Sequence, residues 1–389
     1  MTDESVMPVG TKLCGYDFWR ETLKGAKKIV APMVDQSELA WRLLSRRHGA
    51  ELCYTPMLNA KIMLGHKGYQ KREFQTCPED HPLIAQFCGD NPEVLLQAAR
   101  MVEDQVEGVD LNLGCPQNIA KKGHYGSYLQ DEWDLIRDAI STLHRGLKVP
   151  ITAKIRVFDD VQKTIAYAKM IEDAGAQIIT VHGRTREQRG ENTGVADWQK
   201  IRMVKEAVSV PVFANGNILF SDDYDRCLEE TGADGVMIAE GNLYNPAIFE
   251  DKYPRVWDMV DEYLNICRNE APAPLTAVRG HLFKMYRPSL GTFIEHRTKL
   301  GVARSFDEIS AVAESMNNVL KIKHDSAPCE QQLPPLNHST TGSASAEWFC
   351  RSYIRDKELF LRTYSCKDAA ESDEPDSRPL KIIKVASPS

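Results

Sequence analysis

The chain has 389 residues, 42% of them hydrophobic, and a formal net charge of −7 at pH 7. This length and composition predict a sizeable core, with room for one large domain and a smaller one. No uncharged apolar stretch approaches the roughly 18 residues of a membrane-spanning helix, and the amino-terminal residues do not resemble a secretory signal.

The ten cysteines form no Cys-x-x-Cys pair. Their scatter argues against a zinc module and against a disulfide framework, and no metal site is predicted. We therefore expect a reducing intracellular compartment, cytoplasmic or nuclear.

Short apolar runs, most of them followed by an amphipathic stretch, recur from residue 29 onward. The predicted strands are Ile29–Met33, Glu51–Met57, Leu83–Phe87, Val109–Leu113, Ile151–Val157, Gln177–Val181, Val212–Asn215 and Gly235–Ala239. The predicted helices between them are Ser37–His48, Pro92–Gln105, Asp131–His144, Val161–Ala174, Trp198–Ala207 and Asp222–Thr231. The segment Leu58–Asp80 contains no clean helical pattern. Eight alternating units predict a TIM (β/α)₈ barrel over residues 29–250, after an amino-terminal extension, residues 1–28. A doubly wound open sheet is the alternative, but the chain lacks its early Gly-x-Gly-x-x-Gly turn.

The pattern changes after Pro246. Val256–Arg268, Leu282–Tyr286 and Ser305–His324 have helical spacing with no strand between them, which predicts a small all-helical domain over residues 255–324. Pro, Ser, Thr and charged residues dominate from Asp325 onward, so residues 325–389 are predicted to be a disordered tail.

Cys115 is the most informative residue of the barrel region. It follows the predicted strand Val109–Leu113 directly, where α/β enzymes place catalytic groups, and a thiol there can act as a nucleophile or a general acid. The alternative is a small buried hydrophobic side chain, the usual role of a free cysteine. The flanking Gly114 and Pro116, and the basic loop that follows, favour the chemical role.

Polar residues end several other predicted strands, and a barrel directs all of its strand ends into one mouth. They are Gln86, Asn112, Lys154, Arg156, His182, Arg184 and the turn Asn215-Gly216-Asn217. Cations, amides and glycine turns of this kind suit a redox-active ring that carries a phosphate. Each residue alone has a simpler interpretation, such as an ion pair for Lys154 or a buried core side chain for His182.

The run Asp110-Leu-Asn-Leu-Gly-Cys-Pro116, followed by Ala120 and Gly126-Ser127, resembles the signature of the tRNA-dihydrouridine synthases. The similarity extends from Ile29 to about Glu250. Within that family, Val34–Trp41 and Glu240–Pro246 are most similar to the eukaryotic branch that acts on D-loop positions 16 and 17.

The resemblance implies reduction of the uridine C5=C6 bond to 5,6-dihydrouridine, with hydride from reduced FMN, a proton from Cys115, and NADPH or NADH as the reductant. The residues that it assigns to FMN are Pro32, Met33, Val34, Gln86, Asn112, Lys154, His182, Asn215, Gly216, Asn217, Ala239 and Glu240. Many relatives have Gly-Arg at the last pair. Backbone amides can still bind phosphate there, whereas Glu240 supplies no cation.

A tRNA partner requires a basic surface around the mouth, although the whole chain is acidic. Residues 271–324 carry eight Lys and Arg against four Asp and Glu, a local charge of +4. The predicted RNA-binding residues are Lys121, Lys122, Arg156, Arg184, Arg186, Arg287 and Arg297. An ordinary solvated helical face is the alternative for the last two.

Two other functions fit parts of the pattern. A small-molecule pyrimidine flavoenzyme, similar to the dihydroorotate or dihydropyrimidine dehydrogenases, would use the same C5–C6 chemistry, but it lacks an appended basic helical domain. A non-catalytic tRNA-binding barrel would have no need of Cys115, Lys154 and His182 together.

Overall fold

The computed structural model describes residues 12–332 and 347–354. Its sheet is parallel throughout and consists of β1 Lys28–Val30, β2 Leu52–Tyr54, β3 Leu58–Asn59, β4 Leu83–Cys88, β5 Gly108–Leu113, β6 Ile151–Arg156, β7 Ile179–His182, β8 Val212–Asn215 and β9 Gly235–Ile238. The strand order is β2-β1-β9-β8-β7-β6-β5-β4-β3, and a further pairing of β2 with β4 closes a ring of eight strands. The predicted TIM barrel is therefore confirmed, and β3 is a short extra strand beside β4.

Helices surround the barrel. Before and between its strands lie α1 Gly15–Asp17, α2 Leu39–Arg47, α3 Ala60–Gly65, α4 Lys67–Glu73, α5 Pro92–Arg100, α6 Asn118–Lys122, α7 Trp133–Gly146, α8 Val161–Asp173, α9 Trp198–Ala207 and α10 Asp222–Thr231. After the last strand come α11 Glu240–Tyr244, α12 Val256–Asn269, α13 Leu275–Met285, α14 Ile294–Val302, α15 Phe306–Asp325 and α16 Cys329–Gln332. The segment without a clean helical pattern thus holds β3 and two short helices. Asx caps start several of the longer helices, for example Asn91 at α5 and Asp197 at α9.

The barrel interior is layered because alternate residues of each strand point inward. The lowest layer is apolar and includes Ile29, Ile84 and Phe213. Phe18, which belongs to the amino-terminal extension, is fully buried against this layer and lies next to Gly108. The apolar layer closes one end of the barrel, so polar inward-facing residues collect at the carboxyl ends of the strands.

The helices after residue 255 pack on the barrel through α2, which contacts α12. At this junction the Trp41 indole stacks on the His281 ring, with centroids 3.9 Å apart, and donates a hydrogen bond to Asn242 at 2.8 Å. The described barrel and helices belong to one compact unit. The division into a domain over 29–250 and another over 255–324 stays a prediction.

A short segment near the carboxyl terminus differs from the predicted disordered tail. Trp348, Phe349 and Cys350 are buried among the helices, and Phe349 forms an antiparallel bridge with Arg255. Three apolar residues were too short a run to stand out in a polar region. The rest of the tail after residue 354, residues 333–346 and residues 1–11 of the predicted extension lie outside the described residues. No helix in the described part of the chain is long and apolar enough to cross a membrane.

Candidate active site at the barrel mouth

Cys115 lies two residues beyond the end of β5 and is half-buried at the mouth. Its carbonyl oxygen accepts hydrogen bonds from the backbone N–H and the hydroxyl of Ser127, at 3.1 and 3.0 Å. Gly126 has φ +67°, and a Cβ there would lie 2.8 Å from the Cys115 carbonyl oxygen. The Gly-Ser pair therefore holds the cysteine backbone in place, and only glycine fits its first position.

A row of hydrogen bonds beneath Cys115 crosses three neighbouring strands. Thr152 donates to Asp110 at 2.6 Å, Gln86 donates to the other Asp110 oxygen at 2.8 Å, and Asn112 donates to Gln86 at 2.7 Å. The Asn112 side-chain oxygen then accepts the backbone N–H of Cys115 at 2.9 Å. The row links the position of the thiol loop to the barrel wall.

Burial keeps both acids of this region protonated to higher pH than usual. Burial raises the pKa of the Cys115 thiol, although the Gln117 backbone N–H and the charges of Arg156 and Lys154 oppose the shift. Burial also raises the pKa of Asp110 to about 6. A thiol that stays protonated at neutral pH is suited to donating a proton rather than to attacking as a thiolate.

Basic and amide groups from β6, β7 and β8 face one another across the mouth. The Lys154 ammonium donates to the Asn215 side-chain oxygen at 2.9 Å, and burial together with the Arg156 charge lowers its pKa to about 8. Burial and the charges of Lys154, Arg156 and Arg184 hold the pKa of His182 well below its ordinary value. Because Arg184 donates to Nε2 of His182 at 3.0 Å, the neutral ring carries its proton on Nδ1.

The loops after β8 and β9 approach each other closely. Gly216 has φ +116°, and a Cβ there would collide with Ala196. Asn217 also has a positive φ, and its side-chain oxygen accepts hydrogen bonds from Arg184 at 2.7 Å and from the Ala196 N–H. Ala239 and Glu240 are half-buried at the start of α11. A Cβ at Gly241, which follows Glu240, would collide with the carbonyl oxygen of Ile218, which follows Asn217, so the Asn-Gly-Asn turn lies close to the two residues that depart from the family pattern.

The loop after β1 carries Pro32, Met33 and Val34, the last of them 57% exposed. The Ser37 hydroxyl oxygen stabilises this loop by accepting a hydrogen bond from the Met33 backbone N–H at 3.0 Å. The neighbouring Glu38 was not predicted to matter. Its carboxylate accepts the Tyr263 hydroxyl at 2.7 Å and pairs with His281 at 3.0 Å.

The predicted RNA-binding residues fall into two groups: those whose side chains have partners inside the protein and those that are exposed at the surface. Arg156 is buried and donates to the carbonyl oxygens of Gly114, Thr185 and Gln188, so it supports the loops beside Cys115. Arg186 forms an ion pair with Asp131 at 3.0 Å. Among the others, Arg184 is half-buried beside His182, whereas Lys121, Lys122, Arg287 and Arg297 are exposed.

The mouth residues fit a flavin that carries a phosphate. The half-buried Lys154 ammonium has a neutral amide oxygen as its hydrogen-bond partner, so an anionic group placed there would satisfy its charge. Gln86 and Asn112 offer amide edges of the kind that a flavin ring binds, and the turns after β8 and β9 occupy the usual phosphate position of a TIM barrel. Lys154 would hold the polar edge of the ring, and the backbone N–H groups of Gly216, Asn217 and Glu240 would hold the phosphate.

Comparison with known proteins agrees with this geometry. Residues 29–327 match the model of the family described as "Dihydrouridine synthase (Dus)". The "tRNA-dihydrouridine(16/17) synthase [NAD(P)(+)]-like" protein of Mus musculus is 49% identical over 346 residues, which are 88% of this chain and 71% of the mouse protein. The "tRNA-dihydrouridine(16/17) synthase [NAD(P)(+)]" of Schizosaccharomyces pombe is 51% identical over 380 residues, 90% and 93% of the two chains. That of Saccharomyces cerevisiae is 53% identical over 288 residues, 70% and 67%.

Proposed function

The chain belongs to the dihydrouridine synthase family, and we propose that it reduces uridine to 5,6-dihydrouridine at positions 16 and 17 of the tRNA D-loop. The names of the mouse and two yeast relatives support this substrate, since each is about half identical to this chain over the aligned residues. The observation in the structure that best supports the reaction is a half-buried thiol, its pKa raised by burial, held near amide and ammonium groups at a barrel mouth.

Flavin-dependent NAD(P)H oxidation agrees with the family and with the names of the relatives. We propose FMN as the flavin, held by Pro32, Met33, Val34, Gln86, Asn112, Lys154, His182, Asn215, Gly216, Asn217, Ala239 and Glu240. When bound and reduced by NADPH or NADH, it supplies the hydride that reaches C6 of the uracil ring.

Cys115 completes the reduction by giving the proton of its Sγ to C5. The C5=C6 bond then becomes a single bond with one new hydrogen on each carbon, and the thiolate is reprotonated from solvent. The raised pKa of Cys115 keeps the donor loaded at neutral pH. Lys154, whose ammonium carries a positive charge at the mouth, would stabilise negative charge on the reduced ring.

A uridine inside a folded tRNA has to leave its stack to reach this mouth. We propose that the exposed Lys121 and Lys122 on α6 contact the RNA backbone near the mouth, and that Arg287 and Arg297 contact it on the helical part. Arg184 and Arg186 have partners inside the protein and would contribute through the local field. A tRNA substrate places the protein inside the cell.

The decisive experiment is anaerobic. The purified flavoprotein is reduced with NADPH, and flavin reoxidation is followed after addition of an unmodified tRNA transcript or of orotate. We expect reoxidation by the transcript with dihydrouridine at positions 16 and 17. Reoxidation by orotate alone would assign the chain to small-molecule pyrimidine chemistry, and tRNA binding without reoxidation would support a binding barrel.

The same assay tests the proton donor. Cys115→Ala should retain flavin and its reduction by NADPH but lose roughly 10²–10⁴-fold in the rate of tRNA-dependent reoxidation, because the general acid is missing. Cys77→Ala is the matched control, a half-buried thiol in the segment between α4 and β4. A near wild-type rate in Cys115→Ala would remove the thiol from the mechanism.

A further inference from the structure

A pocket of about 470 Å³ lies in the helical part of the molecule, outside the barrel mouth. It is lined by Tyr244, Phe283, Lys284, Arg287, Pro288, Leu290, Gly291 and Arg297. Three of these residues are cationic and none is acidic. Its volume lies in the range of small-ligand sites.

Two of the three cations of the pocket lie against aromatic rings. The Lys284 ammonium lies 4.6 Å from the centroid of the Tyr244 ring, and the Arg287 guanidinium lies 4.2 Å from that of Tyr353. In residues 12–332 and 347–354, neither Arg287 nor Arg297 forms a salt bridge, whereas Lys299 on the same helix as Arg297 pairs with Glu295 at 2.7 Å. Two arginines without a salt-bridge partner among the described residues, one of them packed against a ring, form a site that attracts a phosphate group.

The remaining walls are aromatic and apolar. Phe283 is half-buried on α13, and Tyr244 closes one side at the end of α11. Cations interleaved with aromatic side chains are the combination that proteins use for single-stranded nucleic acid, since the cations hold the backbone and the rings contact the bases. A free inorganic anion would have no need of the aromatic wall.

The pocket lies on the mouth side of the barrel. Helix α11 begins at Glu240, directly after β9, and Tyr244 is four residues further on, about 6 Å along the helix axis. A ligand in the pocket therefore sits close to the loop where the flavin phosphate is proposed to bind.

We propose that this pocket binds one unstacked nucleotide of the tRNA near the target uridine, its phosphate on Lys284, Arg287 and Arg297 and its base against the aromatic wall. This inference rests on the proposed function, because it takes tRNA as the substrate. The pocket would be a second site, besides the barrel mouth, at which one base of the RNA is bound. Binding there would determine which of the two adjacent target uridines enters the mouth.

The charged side of the pocket is tested with two variants of α14. Arg297→Gln removes a lining cation, and Lys299→Gln removes an exposed one that does not line the pocket. We expect Arg297→Gln to weaken binding of an unmodified tRNA transcript about tenfold or more and to reduce the slope of log K against log salt by about 0.7. Equal, small effects of the two variants would overturn the proposal.

The aromatic side is tested with Phe283→Leu, which keeps an apolar side chain and loses the ring. Transcripts that lack one D-loop base at a time are measured with wild type and variant. We expect one abasic position near the target to weaken wild-type binding by about 5- to 100-fold, and Phe283→Leu to be insensitive to that position. Additive effects at every position would show that no base occupies the pocket.

The rate of flavin reduction by NADPH is measured on the same variants. If it falls while tRNA affinity stays at the wild-type level, the pocket holds the adenosine phosphate of NADPH and the proposal is wrong. Failure of the wild-type protein to modify tRNA would instead refute the proposed function, so the two failures are distinguishable.

Discussion

At the scale of single residues, Cys115 depends on its surroundings for its chemistry. Burial raises its pKa while nearby Lys154 and Arg156 limit the increase. The result is an acid that is protonated at neutral pH and can still release its proton to a carbon that gains negative charge. His182, at the end of β7 on the same mouth, is neutral and adds no competing acid.

The raised pKa predicts the pH dependence of product formation. Because the thiol form donates the proton and the Lys154 ammonium stabilises the reduced ring, the single-turnover rate with tRNA should fall in two steps on the basic side. The first step lies near the Lys154 pKa of about 8, and the second lies at the raised pKa of the thiol, above its usual value of about 8.5. Cys115→Ser should be slower and should keep only the first step, since a serine hydroxyl does not titrate in this range. A wild-type rate that already declines near pH 7 would indicate a depressed thiol pKa and contradict the assignment.

The sequence predicted the barrel well, and it could name candidate mouth residues, because both depend on local patterns. Each strand is a short apolar run, and the polar residue that ends it needs no partner to be recognised. Arg156 shows what such local patterns do not predict. Its position at a strand end predicted RNA contact, whereas its three carbonyl partners, Gly114, Thr185 and Gln188, come from loops whose course no local pattern specifies.

Contacts between elements that are distant in sequence could not be predicted either. Glu38, Tyr263 and His281 meet only because α12 and α13 pack on α2, more than 200 residues apart in sequence. The pocket residue Phe283 has no distinguishing sequence context for the same reason.

At the scale of elements, the loop after β5 is held by its own turn. Gly126 has a left-handed conformation directly against the Cys115 backbone. The helix α6 and the turn Gly126–Leu129 complete a compact loop between β5 and α7. The thiol position is therefore a property of the whole loop.

Gly126→Ala should displace this loop, because its Cβ would lie 2.8 and 2.9 Å from the Cys115 carbonyl oxygen and Cβ, at a φ that costs about 1–3 kcal/mol in a non-glycine residue. We expect bound flavin to be retained and tRNA-dependent reoxidation to slow by about tenfold or more. Gly65→Ala is the control, since a Cβ there meets nothing within 4 Å. Equal rates in both variants would show that the loop tolerates the shift.

At the scale of the whole molecule, the barrel and the later helices share a polar junction. Burial raises the pKa of Glu38, but the charge and hydrogen bond of His281 and the hydroxyl of Tyr263 outweigh it, so the pKa lies below its ordinary value. Trp41 stacks on the same histidine. The loop that carries Met33 and Val34 is thereby tied to α12 and α13.

Glu38→Ala should lower the free energy of unfolding by roughly 3–5 kcal/mol, because it leaves His281 and the Tyr263 hydroxyl buried without their partner. Urea unfolding at neutral pH, followed by tryptophan fluorescence, measures the change. Glu295→Ala removes an exposed carboxylate paired with Lys299 and should leave the free energy of unfolding nearly unchanged. A similar small loss for Glu38→Ala would mean that the junction contributes little to stability.

The hydrogen bonds in the row from Thr152 through Asp110, Gln86 and Asn112 to Cys115 converge on Asp110. Every member donates toward Asp110, and the side-chain oxygen of Asn112 is left to face the thiol loop. If the Gln86 amide were rotated by 180°, its oxygen would face the Asp110 oxygen and its NH₂ group would face the Asn112 NH₂ group, so both hydrogen bonds would be lost. The amino acid at each of these four positions therefore depends on the amino acids at its neighbours. A substitution at one position is tolerated only after a matching substitution beside it, so the order in which substitutions occur determines which sequences are accessible.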